Sequence, residues 1–321
     1  MSGRDLVTGA TGFAGGFLVD HLLSLGRQVA GTVYGDVPPD HPAGRIPLYP
    51  CDLRDADETR ETVARAAPDR VYHAAAQADV ARAWKEPAET FRVNAMGTVN
   101  LLEACRSLGT EARILLISSA TVYGPPPEGR PLTEDLPLRP ADPYGVSKAA
   151  ADQAAVLYHK AFGMDVVRAR AFNHIGPGAA AKYALGGFAR QIAELEPEGG
   201  GDLRVGNLSA RRNLTDVRDV VRAYALLMER AESGEAYNVC GDTVVTIEEV
   251  LDRLIDLSPG AFRKVPDPER LRPIDAPVID GDNSRLKRAT GWAPEIPLEQ
   301  SLSDLLAYWR ERVGRTPRRT A

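Results

Sequence analysis

The sequence predicts an α/β protein built on a doubly wound parallel sheet, with a smaller α/β domain towards its carboxyl end. Three observations carry that reading. Short apolar strands alternate with helical stretches through the first half of the chain, a glycine-rich turn follows the first strand directly, and the regularity weakens beyond Ala171. Alternating strands and helices imply parallel pairing, because each crossover helix must pack back onto the sheet it left.

Asp5 to Thr8 reads as the first strand, and Phe13, Phe17, Leu18, Leu22 and Leu25 recur behind it at helical spacing. Gln28 to Tyr34 and Ile46 to Cys51 read as strands, Ala56 to Ala67 as a helix that Pro68 stops, and Arg70 to His73 as the next strand. A helical signal runs from Pro87 to Leu108, and Arg113 to Ser118 has the unbroken apolar character of a strand buried on both faces. The loop from Gly124 to Pro143 holds seven prolines, too many for a helix interior or a central strand. Asp142 as cap and Pro143 at the first helical position then open a helix to about Phe162, and Met164 to Arg170 is the sixth strand. Past Ala171, glycines and prolines cut the chain into shorter pieces. Val217 to Glu232 followed by Ala236 to Val239 reads as one αβ unit returning to the first sheet. The domains expected are therefore 1–171 joined by 213–242, and 172–212 with 243–321. The apolar stripe Leu298, Leu302, Leu305, Leu306, Trp309 and Val313 marks a last helix lying on the core.

The 321 residues are 44% hydrophobic and 26% charged, ordinary globular values that exclude a disordered or low-complexity chain. A formal charge of −5 offers no broad attraction for nucleic acid or an anionic membrane, so neither is expected as a partner. The amino-terminal residues lack the apolar run of a secretory signal, and no stretch has the length and apolarity of a membrane span. Cys51, Cys105 and Cys240 fit neither a zinc spacing nor a disulfide framework. A reducing cytoplasm is expected, and a metal site is not.

Thr8-Gly9-Ala10-Thr11-Gly12-Phe13-Ala14-Gly15 sets glycines three apart between a strand and a helix. Glycine is needed where the backbone turns sharply, approaches a pyrophosphate or packs closely, and the helix amino terminus adds N–H donors. A flexible turn is the bland alternative, but the βα units that follow favour a dinucleotide cradle. The choice between NAD and NADP stays open in Thr32-Val33-Tyr34-Gly35-Asp36, where a carboxylate or an arginine would decide it.

Tyr144 and Lys148 stand one helical turn apart on one face. Free tyrosine titrates near 10, and a neighbouring ammonium lowers that value towards use as a proton donor at neutral pH. Ser119 closes the fifth strand, where such sheets place ligand contacts. Alone, Tyr-x-x-x-Lys reads as a surface pair; with the glycine turn and Ser119 it reads as a catalytic trio.

These motifs resemble the extended short-chain dehydrogenase/reductases of nucleotide-sugar type, over essentially the whole chain. The resemblance implies a Rossmann-type NAD(P)-binding domain and a nucleotide-sugar-binding domain. It implies cofactor contacts at Gly9, Thr11, Gly12, Phe13, Ala14 and Gly15, at Tyr34, at Asp52-Leu53, at Ala74-Ala75-Ala76, and at Asn94, Tyr144 and Lys148. Ser119, Tyr144 and Lys148 match the family's catalytic residues. Phe172 to Gly178, Val205 to Tyr224, Tyr237 to Cys240 and Asp267 to Pro273 are similar to the branch of GDP-mannose 4,6-dehydratases and GDP-6-deoxy-4-ketomannose reductases, most closely to those forming GDP-rhamnose. A GDP-sugar substrate is then implied, with Asn173, Arg212 and Arg272 on diphosphate and sugar and Asn207 on the nucleotide. Thr121 stands where a 4,6-dehydratase usually carries its glutamate base, and threonine is a poor base at neutral pH. The implied activity is NAD(P)H-dependent reduction of a C4 ketone. Ser118 to Gly124 also resembles the UDP-hexose 4-epimerases, which leaves an NAD-retaining epimerase as the alternative. A 4,6-dehydratase ranks below it, and a non-catalytic nucleotide sensor on the same fold ranks last. The resemblance further implies a homodimer through the helices near 87–108 and 144–162.

Overall fold

The computed structural model describes residues 3–37, 41–126, 130–271 and 276–314. In chain order the elements up to the sixth strand are β1 (Arg4–Thr8), α1 (Phe13–Ser24), β2 (Gln28–Val33), β3 (Leu48–Pro50), α2 (Ala56–Ala66), β4 (Arg70–His73), α3 (Val80–Lys85), α4 (Pro87–Phe91), α5 (Gly97–Ser107), β5 (Arg113–Ser119), α6 (Pro143–Phe162) and β6 (Val166–Ala171). Then come β7 (Asn173–Ile175), α7 (Ala184–Leu195), β8 (Gly200–Val205), β9 (Arg211–Asp216), α8 (Val217–Arg230), β10 (Ala236–Val239), β11 (Val244–Thr246), α9 (Ile247–Asp256), β12 (Ala261–Pro266), β13 (Val278–Ile279), α10 (Ser284–Thr290) and α11 (Leu298–Gly314).

The main sheet is parallel throughout, in the order β3-β2-β1-β4-β5-β6-β10. The order reverses between β1 and β4, so their carboxyl ends diverge into a crevice, the place where open α/β sheets bind ligands. Successive strand residues face opposite sides. Accordingly Leu6 joins a layer with Val63, Leu101, Leu102 and Tyr158, and the adjacent Val7 joins one with Leu18, Leu22, Val220 and Tyr224.

The helix expected over 87–108 is interrupted. Between α4 and α5, residues Arg92–Met96 form one wide turn in which the Gly97 N–H reaches back five residues to the Arg92 carbonyl. Such a turn accommodates an extra residue inside a helix and recurs at functional sites. Asp142 caps α6 through a 2.8 Å bond from the Gly145 N–H, and Gly163 ends it in the left-handed conformation.

The return to the main sheet begins later than residue 213. β9 pairs with β7, β11 and β13, and the chain rejoins the large sheet through α8 and β10. Asp216 marks the change, ending β9 and capping α8 through the Arg218 N–H at 2.8 Å. A separate core of Phe188, Ile192, Leu203, Leu251, Leu302 and Leu306 gathers α7, α9 and α11. Among the described residues no helix is long and apolar enough to cross a membrane, and no cluster of His, Cys, Asp and Glu has the make-up of a metal site.

Candidate active site

The glycine turn is built so tightly that side chains are excluded. Gly9 has φ of 66°, and a Cβ there would lie 2.8 Å from the Ala75 Cα; one at Gly15 would lie 2.1 Å from the Gly9 carbonyl oxygen. A glycine at these positions avoids both the strain and the collision. Gly12 precedes α1, whose first turn carries no acidic residue and no side-chain cap among the described residues. Its N–H groups therefore present an anion site, and the residues present fit a dinucleotide pyrophosphate. Thr11 and Ala14 are half-buried beside it. The Phe13 ring turns towards β7, stacked on His174 with centroids 5.7 Å apart.

Beside the turn, the Thr8 hydroxyl accepts the Ala75 N–H at 3.2 Å and meets His73 Nδ1 at 2.8 Å. His73 Nε2 lies 2.9 Å from the Thr98 hydroxyl, so one fully buried imidazole ties the start of the glycine turn to α5. Burial, aided by the Lys148 charge, pushes the His73 pKa down to about 3, so it is neutral at working pH. Ala74 and Ala76 flank Ala75 at the same strand end, half-buried.

Asn94 lies in the wide turn and is fully engaged. Its Oδ1 accepts from the Gln77 N–H at 2.8 Å, and its Nδ2 donates to the Gln77 carbonyl and the Ser147 hydroxyl at 3.0 and 2.9 Å. Ser147 donates in turn to the Tyr144 carbonyl at 2.7 Å. The asparagine thus fixes the first turn of α6 from behind.

At the crevice, Ser119 ends β5. The Thr121 hydroxyl donates to Ser119 Oγ at 3.0 Å and the Thr121 N–H at 3.2 Å. With both lone pairs so occupied, the Ser119 proton is what remains to be given outward. Thr121 therefore serves Ser119 and is not placed as a base. The expected lowering of the tyrosine pKa is not found: burial pushes Tyr144 up to about 12, opposed by the Ser119 hydroxyl. Lys148 Nζ donates to the Ile117 carbonyl at 2.5 Å. Burial brings Lys148 down to about 8, opposed by the Asp152 carboxylate one turn further along α6. Tyr144 is thus protonated at neutral pH.

No motif marks Asp152. It accepts from Arg168 and Arg170 on β6 at 2.8 and 3.0 Å, and Arg170 passes the contact to the Tyr123 hydroxyl at 2.9 Å. Its position four residues after Lys148 was the available signal, since i and i+4 share a helix face.

Tyr34 is 71% exposed at the end of β2, and Arg54 meets both Tyr34 and Asp52 there. Leu53 is buried, its carbonyl held by Asn100 at 2.8 Å. Asn173 is exposed on β7, and Asn207 is exposed before β9 with its Oδ1 accepting from the Ser209 N–H and hydroxyl at 3.1 and 2.8 Å. Arg212 is buried, one arm donating to the Arg211 and Ala276 carbonyls at 2.8 and 2.9 Å. Arg272 lies outside the described residues.

Comparison with known proteins agrees with this architecture. The chain is 36% identical over 316 residues to the GDP-6-deoxy-D-mannose reductase of Pseudomonas aeruginosa, covering 98% of this chain and 99% of that one. It superposes on the structure of RMD from Pseudomonas aeruginosa complexed with NADPH with a TM-score of 0.85 at 35% identity, covering 97% and 99% of the two chains. It also superposes on the UDP-glucose 4-epimerase of Thermus thermophilus complexed with NAD, with a TM-score of 0.84 at 30% identity over 96% and 99%. Residues 6–305 match the family model described as GDP-mannose 4,6 dehydratase, and the chain belongs to that family.

Proposed function

We propose that this protein is an NAD(P)H-dependent reductase of the C4 ketone of a GDP-4-keto-6-deoxyhexose, giving GDP-D-rhamnose or its C4 epimer. The observation that carries the reading is the full-length similarity to a GDP-6-deoxy-D-mannose reductase. The glycine turn and the start of α1 hold the dinucleotide pyrophosphate, and the bound nicotinamide supplies the hydride. Tyr144, protonated at neutral pH, gives its proton to the oxygen that becomes the new hydroxyl. Ser119 donates to the same oxygen and fixes its direction, with Thr121 holding Ser119. Lys148, charged below about pH 8 and held by the Ile117 carbonyl, binds the nicotinamide ribose. Asn173, Asn207, Arg212 and Arg272 are the proposed sugar-nucleotide contacts. Residues 1–171 with α8 and β10 form the cofactor-binding part, and 172–212, the rest of β9 and the segments from β11 onwards form the substrate part.

The test is oxidation of NADH and NADPH by the purified protein with GDP-4-keto-6-deoxymannose. Consumption of either supports the reductase; none, with NAD co-purifying, supports the second reading, a nucleotide-sugar 4-epimerase. That reading is favoured by the likeness to an epimerase holding NAD. Trp84, Phe91, Met96, Leu157 and Phe162 are exposed apolar residues on α3 to α6, which supports a homodimer through these helices, measurable by light scattering. The three buried free thiols suit a reducing compartment such as the cytoplasm.

A further inference from the structure

Resting on the reading of the glycine turn as a dinucleotide site, we propose that Arg54 reads the 2′-position of the cofactor's adenosine ribose and that Glu89 restrains it from doing so. In this fold the group discriminating the two dinucleotides lies at the carboxyl end of the second strand, a carboxylate favouring the free 2′-hydroxyl and an arginine the 2′-phosphate. That place is held here by Tyr34, which is neither. A guanidinium comes instead from the neighbouring strand end.

The segment after β3 is pinned from below, because Asn100 holds the Leu53 carbonyl at 2.8 Å and Gly97 leaves room for the Leu53 side chain. The next residue, Arg54, is thereby directed across to β2. Its Nη2 donates to the Tyr34 hydroxyl at 2.8 Å, and its guanidinium carbon lies 5.2 Å from the Tyr34 ring centroid. Its Nε donates to both oxygens of Asp52 at 2.8 and 3.0 Å, and Nη1 pairs with Glu89 on α4. The side chain remains 31% exposed. A planar cation with five donors suits a phosphate well, but this one is shared between two carboxylates. Asp52 belongs to the strand end itself. Glu89 comes from a separate helix, and its loss leaves the strand end intact. A 2′-phosphate must compete with Glu89 for the guanidinium, whereas a 2′-hydroxyl need not.

The experiment is direct titration of NADH and NADPH into the whole protein, followed by reduced-nicotinamide fluorescence, for the wild type, Arg54→Ala and Glu89→Gln at two salt concentrations. Arg54→Ala is expected to weaken NADPH binding roughly tenfold and to flatten its salt dependence, with NADH within about twofold. Glu89→Gln is expected to strengthen NADPH binding by about threefold and leave NADH unchanged. Circular dichroism checks that each variant is folded, and Arg54→Gln repeats the test if Arg54→Ala is not. An unchanged ratio of the two affinities in folded variants overturns the assignment while leaving the dinucleotide site standing. Failure of the wild type to bind either dinucleotide overturns both.

Discussion

The two edges of the main sheet handle charge in opposite ways. At the amino edge, Asp5 on β1 accepts from Arg70 Nε at 2.7 Å, and Arg113 on β5 donates to both oxygens of Asp165 at 3.0 and 2.9 Å. Each of these charges has its counter-ion. At the carboxyl edge, Lys148 is buried at 4% exposure against a neutral carbonyl, Tyr144 and His73 are neutral, and Asp152 bonds to the β6 arginines. Paired charges hold strands together. A buried cation whose direct contact is neutral costs stability and is retained where it acts on something else.

Several expectations break or sharpen that contrast. The largest concerns Tyr144→Phe, which should bind both ligands and lose about 10²- to 10⁴-fold in turnover, as read by steady-state rates beside fluorescence titration. Retained turnover would remove the proton-donor role. Next, Arg70→Ala should lower the unfolding free energy by about 3 kcal/mol in urea while the folded fraction turns over normally, because it strands the buried Asp5. A fall in turnover per folded molecule would mean that the edges are not independent.

The third expectation is pH-dependent. Lys148 has a folded pKa below its unfolded value, so its burial opposes folding below about pH 8 and is relieved as pH rises towards 10.4. Turnover should move the other way, falling above about pH 8 as the charge is lost, and a flat pH–rate profile to pH 9.5 would contradict this. His73 gives the acid counterpart. Its folded pKa near 3 means that stability falls as pH drops below about 6.5, and His73→Gln should flatten that slope in urea midpoints measured from pH 7 to 4. The smallest effect belongs to Thr121→Val, a loss of a few-fold in turnover, since Ser119 keeps the Thr121 backbone donor.

What the sequence made legible was local. The glycine turn, the cap Asp142 and the Tyr144–Lys148 spacing each lie within a few residues, where one turn of backbone fixes the relation between side chains. The contact of Lys148 with the Ile117 carbonyl spans 31 residues, and no spacing marks it. The Arg54–Glu89 pair spans 35 residues and the Thr8–His73 contact 65, and no periodicity marks either. β7 and β11 are three residues each, too short to alternate visibly, so neither the sheet around β9 nor its end at Asp216 is legible in the sequence.

The wide turn at Arg92–Met96 has a further consequence for how this helix can change by insertion and deletion. It holds one residue more than a regular turn. Deleting a residue there would restore ordinary winding and leave the flanking helices facing as they do, whereas deleting one within α5 would rotate everything on its amino-terminal side by about 100°. In the second case Thr90, which accepts from Gln77 at 2.9 Å, and Glu89, which holds Arg54, would swing off their partners together. Two neighbouring contacts therefore depend on the winding that follows them, and a single-codon deletion is absorbed at the wide turn but not within α5.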